Sequence, residues 1–321
     1  MNLSPFSRKA KPECRLRRYF PMRPRPLVAL AALAFALALP AVASAEDAPF
    51  VGWSALLPGL SFPYDPSSPD DCSAGRVQCV DKTIREMTRR FDALACDHNA
   101  IFSLTYLRVT EEYRRTVEGP FFDDTPFVNY EDGLFAHYYF AAFDAWAAGR
   151  IDQVPPAWRV AFNTAKARAV SATGDLLLGI NAHVQRDLPL VLYSIGLARP
   201  DGTSRKADHD RVNIILNRVT DEIIAEIARR FDPTADDTDL PTSLDGAALF
   251  QLLAAWREKA WRNAELLAAA PTPAARELVV AAIERDAAME ARAIVVSTAY
   301  PPLIGGSAAR DAFCGVHHND A

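Results

Sequence analysis

The chain has 321 residues, of which half are apolar, with 35 Lys and Arg against 40 Asp and Glu and a formal charge of −5. That length and apolar content suffice for one large domain with a full core, and the acidic balance argues against nucleic acid as a stable ligand. No internal repeat is present, which excludes a solenoid.

The first segment reads as an export signal. Arg23 and Arg25 precede the apolar run Leu27 to Leu39, and Ala43-Ser44-Ala45 supplies small residues for cleavage before Glu46. Met22 would begin a signal of ordinary length by itself, and Arg17-Arg18-Tyr19-Phe20 has some twin-arginine character. Cleavage after residue 45 removes eight basic residues and one Glu, which leaves 27 against 39 and a charge of −12 on about 276 residues. No later run is apolar enough to span a bilayer, and no cysteine stands at the cleavage point to accept lipid. The expectation is a soluble exported protein, secreted or held in the cell envelope.

Residues 46 to 79 are rich in Pro, Ser, Gly and Asp and are expected to form an irregular arm. From residue 80 onward apolar residues recur at spacings of three and four, so an all-α domain is expected over 80–321, a single compact bundle with a carboxyl tail. Eight helices are predicted: Val80 to Ala95, Asn99 to Val117, Asn129 to Ala148, Pro155 to Ala169, Ser171 to Ile195, Asp208 to Phe231, Asp245 to Ala269 and Pro273 to Ala299. Gly119-Pro120, Gly149, Gly196, Asp232-Pro233 and Pro271 fall at their ends, and Asp245 and Thr272-Pro273 read as amino-terminal caps. The connections Ala198 to Ala207 and Pro233 to Ser243 are polar. The second resembles a calcium loop in its Asp content but lacks the central Gly and closing Glu, so it reads as a solvated loop.

Four cysteines remain after cleavage, an even number that in an oxidising compartment predicts two disulfides. The preferred pairing is Cys72 with Cys79, closing a short loop, and Cys96 with Cys314, tethering the tail. A zinc cluster is the rival, disfavoured because there is no Cys-x-x-Cys spacing.

The segment Gly179-Ile-Asn-Ala-His183-Val-Gln-Arg-Asp187-Leu-Pro189 carries the strongest chemical signal. On a helix His183 and Asp187 share one face with Ile180, Leu190 and Val191, and a carboxylate buried there needs a partner. His209 and Asn213 stand one turn apart at the start of the next helix and would approach Asp187 in an antiparallel pair. His183, Asp187, His209 and Asn213, with His137 from the aromatic stretch Leu134 to Phe140 as a further candidate, form a set suited to one divalent ion, zinc first. The bland alternative has equal standing: His183 and Asp187 make a buried hydrogen bond, and His209 is a first-turn residue. Asp97-His98 reads as a turn and His317-His318 as a solvated tail. Trp256, Arg257 and Trp261 are candidates to line a substrate site. No phosphate loop, no Gly-x-Gly-x-x-Gly, no Gly-x-Ser-x-Gly and no His-Glu-x-x-His occurs, so no nucleotide cofactor is expected.

On the Gly179–Pro189 motif, with support from His209-Asp210-x-x-Asn213 and Arg257 to Trp261, the chain resembles an uncharacterised all-helical bacterial family, a domain of unknown function. The resemblance implies a fold and no activity. A more distant similarity joins His183-x-x-x-Asp187 to zinc-dependent phospholipase C and related nucleases, but the further histidines and the His-x-x-x-Glu turn of those enzymes are missing. Two functions follow as expectations. One is a metal-assisted hydrolase of esters or phosphoesters in which His183, Asp187 and His209 hold the ion. The other is a non-catalytic helical protein that binds a small molecule in a central cavity.

Overall fold

A computed structural model of the chain describes residues 64–236, 245–300 and 306–320. The expected signal segment, the first part of the expected arm, most of the loop 233–243 and the stretch before the last helix lie outside the described residues.

Helices dominate, as the spacing predicts. In chain order they are α1 Val77–Leu94, α2 Ala100–Thr116, α3 Thr125–Ala147, α4 Pro156–Lys166, α5 Ala172–Ile180, α6 Leu188–Ile195, α7 Lys206–Arg230, α8 Gly246–Ala269, α9 Pro273–Thr298 and α10 Ala308–His317. A π-helical segment, Asn181–Asp187, joins α5 to α6 without a break, so these three form the one helix expected over 171–195. Among the described residues there is no β-strand, only the isolated bridges Val170 to Ala299 and Ala198 to Ser204.

Local chemistry sets the helix ends. Asp124 accepts a hydrogen bond from the Phe127 amide and Pro126 sits in the first turn, so α3 starts four residues before the predicted Asn129. Asp245 and Thr272 cap α8 and α9 through the amides of Ala248 and Ala275, as expected. Gly196, at φ 91°, closes α6. The arm is shorter than expected, because α1 begins at Val77.

The central α5–π–α6 helix has no solvent face until its last turn. Every residue from Val170 to Leu192 is buried, the behaviour of a helix enclosed on all sides. It packs against α8, α9, α4, α3 and α2. Gly179 makes one of these contacts possible: a Cβ there would stand 2.3 Å from the Phe102 ring. Gly179→Ala therefore displaces Phe102, and a loss of roughly 1–3 kcal/mol, the scale of an overpacked core, is expected in urea unfolding.

Both expected cysteine pairs are disulfides, Cys72–Cys79 and Cys96–Cys314. The tail departs from expectation: it contains α10, a ninth helical rod when α5–π–α6 is counted as one. His98 lies in the turn between α1 and α2, as expected, but it is not solvated. It is buried beneath α10, its Nε2 2.9 Å from Asp311 and its Nδ1 3.4 Å from Asp175, which also accepts from Arg310. Cys96–Cys314 closes a loop of 218 residues, so the double Cys96→Ala, Cys314→Ala variant is expected to lose roughly 2–5 kcal/mol in denaturant titration. An unchanged midpoint would mean that the His98–Asp311 and Arg310–Asp175 contacts alone hold α10.

A polar helix segment and the cavity beside it

Pro189 accounts for the π-helical register. A proline has no amide hydrogen, and its ring crowds the carbonyl four residues earlier, here that of Gln185. The chain widens in response: the Leu188 amide donates to the His183 carbonyl, five residues back, which is the π pattern. The widened turn carries Asn181, His183, Gln185, Arg186 and Asp187, all buried.

Each of these is tied into the bundle. Asn181 donates to the Ala287 carbonyl on α9 and accepts from Gln185, whose oxygen accepts from Lys259 on α8. Asp187, fully enclosed at 0 % exposure, accepts from Arg186 at 2.8 Å on one oxygen and from Trp158 Nε1 at 2.9 Å and His183 Nδ1 at 3.0 Å on the other. Arg186 also donates to Glu284 on α9 at 2.7 Å. This answers the demand for a partner: a cation and two neutral donors take up the carboxylate, the condition under which a buried ion is tolerated. Burial pushes the Glu284 carboxyl above its ordinary range, against the pull of Arg186.

His183 is left with one open atom. A carboxylate only accepts, so Nδ1 carries the proton toward Asp187 and Nε2 presents a lone pair. Burial lowers the imidazole pKa, with the hydrogen bond and charge of Asp187 opposing it, so the ring is neutral near pH 7. It stacks on Phe135 at 3.5 Å between centroids and meets Tyr106 edge-on at 4.6 Å.

Beside His183 lies a cavity of about 120 Å³. Residues from α2 (Phe102, Tyr106, Val109, Tyr113), α3 (Val128, Glu131, Asp132, Phe135), the π segment, α7 (Val212, Ile215) and α8 (Leu253, Arg257) line it. Most of the wall is apolar. Three buried polar atoms of the lining have no hydrogen-bond partner: His183 Nε2, Tyr106 Oη and Asp132 Oδ2. Buried polar groups are normally satisfied, so three around one hollow mark a place built for another molecule or for ordered water.

The two acids on α3 are strongly perturbed. Burial pushes Glu131 up to about 7, with the charges of Arg257 and Arg205 opposing. Burial and then the neighbouring Glu131 charge push Asp132 to about 7. Both side chains touch the cavity and so keep some accessible surface, but protein encloses their carboxyls, and that enclosure sets their titration. As adjacent acids they titrate as a pair.

The metal set read from the sequence divides in two. His183 and Asp187 meet, but both oxygens of Asp187 are occupied by protein donors. His209 and Asn213 instead clasp Arg257: its Nε donates to Asn213 Oδ1 at 2.8 Å, its Nη2 donates to the His209 carbonyl at 2.7 Å, and His209 Nε2 lies 3.3 Å from the Arg257 carbonyl. His137 is exposed. Among the described residues, the one trio of His, Cys, Asp or Glu ligand atoms within 4.8 Å of one another is Cys96, Cys314 and His318, and its two sulfurs are joined to each other. The donors therefore do not fit a zinc site: Asp187, His209 and Asn213 are held by protein partners, and His183 alone keeps a free atom, its Nε2.

Of the aromatic and basic residues expected around a substrate, Arg257 reaches the cavity. Trp256 and Trp261 do not; their indoles donate to Glu290 and Glu265. Sequence reasoning missed Glu131, Asp132 and Tyr106. A signal was present: Val128, Glu131, Asp132 and Phe135 follow the three–four spacing of one helix face, so both acids fall on an apolar stripe.

A buried polar helix beside a largely apolar cavity marks this as an all-α protein with a hollow among its helices. The chain belongs to the family of unknown function DUF5995, which matches residues 80–297 and so includes every wall of the cavity. No curated protein and no solved structure matches it. Two disulfides, and no helix among the described residues long and apolar enough to cross a membrane, are compatible with an exported protein.

Proposed function

We propose that the cavity beside His183 is the functional site and that the protein is an exported helical receptor for one small, mostly apolar molecule. The observation that carries this is the convergence of three unpartnered buried polar atoms, on His183, Tyr106 and Asp132, around one largely apolar hollow. Ligand sites have this composition, apolar walls with a few placed polar groups. The volume supports a ligand of modest size, since an engineered apolar cavity of about 150 Å³ accommodates benzene.

The metal-assisted hydrolase finds less support. It needs Asp187, His209 and Asn213 as ligands, and each holds a protein partner instead. Zinc, manganese and calcium are accordingly expected to leave the melting temperature unchanged. A rise of several degrees that His183→Gln removes would restore the metal reading.

The receptor reading is tested by native mass spectrometry of protein recovered from its own cell envelope. A small molecule is expected on the wild type and absent from Val109→Phe, whose added ring would occupy the cavity from a half-buried wall position. Equal ligand content in both proteins would place the site elsewhere.

A further inference from the structure

We infer that the cavity takes a small apolar amine, bound as its ammonium by Glu131 and Asp132 with His183 Nε2 as an additional acceptor. This rests on the cavity being the ligand site, and concerns which chemistry that site accepts.

The charges around the hollow carry the argument. Two carboxyls line it from adjacent positions of α3, and one cation, Arg257, lines it from α8. Arg257 is already held by Asn213 and the His209 carbonyl, and its charge is the largest one acting to keep Glu131 ionised. That leaves Asp132 with no cation. Asp132 Oδ2 has no hydrogen bond, and nothing on its own helix or on α2, α7 or the π segment supplies a positive charge to the cavity. One monovalent positive charge from a ligand would balance the site.

The remaining open atoms select the kind of cation. His183 Nε2 is 3 % exposed at the residue level, unpartnered, and by its tautomer can only accept. Tyr106 Oη adds a hydroxyl. A site of acceptors suits N–H donors, and an ammonium carries three. The walls suit the same ligand, because the rings of Phe102, Tyr106 and Phe135 offer apolar contact and π faces to a cation. A bare metal ion fits less well, since no trio of ligand atoms here lies within 4.8 Å. An anion would face two carboxyls and a lone pair.

The test uses three probes of one size, n-butylammonium, 1-butanol and butyrate, titrated calorimetrically into the full mature protein at pH 8. The amine is expected to bind at least about tenfold more tightly than the alcohol, and butyrate not to bind measurably. Glu131→Gln combined with Asp132→Asn preserves shape and should erase the amine's advantage while leaving the alcohol's affinity within about twofold. Amine affinity should also fall from pH 8 to pH 6. The titratable and charged groups around the acids are Tyr106 and Tyr113 from α2, His183 from the π segment, Arg257 from α8, and Arg205 and Asp208 at the start of α7; the fall is assigned to the acids, which burial makes titrate near 7. Alcohol binding as well as or better than amine would overturn the amine assignment and leave the cavity reading intact. Heats from none of the three, in wild type and variant alike, would remove both.

Discussion

Asp187→Ala is expected to cost roughly 3–5 kcal/mol, the scale for breaking a buried ionic network by removing one partner. The loss should appear as a lower urea midpoint with an unchanged slope. The physical cause is what remains: Arg186 keeps Glu284 but loses one carboxylate, and the buried Trp158 Nε1 and His183 Nδ1 lose their acceptor. Asp187→Asn should recover only part of the loss, because an amide brings its own N–H donors into a place filled with donors. Were Asp187 a metal ligand, its removal would leave the metal-free fold about as stable, so a variant with wild-type stability would overturn this assignment.

The second large effect has the opposite sign. Glu131→Gln and Asp132→Asn should each stabilise the protein at pH 8 by roughly 2–4 kcal/mol, since a unit of pKa shift corresponds to about 1.4 kcal/mol and water in the cavity will reduce the full value. Both acids titrate near 7 in the folded protein, above their ordinary values of 4.5 and 3.8. The folded state thus holds protons that the unfolded chain has released. Their contribution to stability is fully present below about pH 4, is lost as pH rises to about 7, and is constant beyond. The wild type should therefore lose stability across pH 4 to 7, and the double variant should show a flatter profile there. A decline just as steep in the double variant would mean that other groups set it.

Much of the fold is legible in the sequence because helix periodicity and capping are local. Asp245 and Thr272-Pro273 mark the starts of α8 and α9 by chemistry acting within four residues. Asp124, which starts α3, was overshadowed by Gly119-Pro120, and α10 is too short and too dependent on Cys96–Cys314 and Arg310–Asp175 to stand out. The site is legible only in part. Spacing placed His183 against Asp187, and a carboxylate in an apolar run had to find partners, but Trp158 and Glu284 come from α4 and α9, 29 residues before and 97 after it. The π register is visible in Pro189 alone, as a disturbed carbonyl whose outcome the sequence leaves open. His209 and Asn213 were placed with Asp187 on an assumed antiparallel meeting of consecutive helices. α8 instead supplies Arg257 to fill both of them. Glu131 and Asp132 are hard to read from the sequence because acids in an amphipathic helix ordinarily lie on its solvated face, and in this helix it is His137 that faces solvent.

Whether His183 offers an open lone pair to a ligand or serves a metal is read directly by the ¹⁵N NMR spectrum of its imidazole, in protein lacking residues 1–45, at pH 8. The expected result is a protonated Nδ1 and a bare Nε2, indifferent to added zinc and displaced on titration with n-butylammonium or 1-butanol. A Nε2 resonance that moves with zinc and stays fixed with both butyl compounds would contradict it.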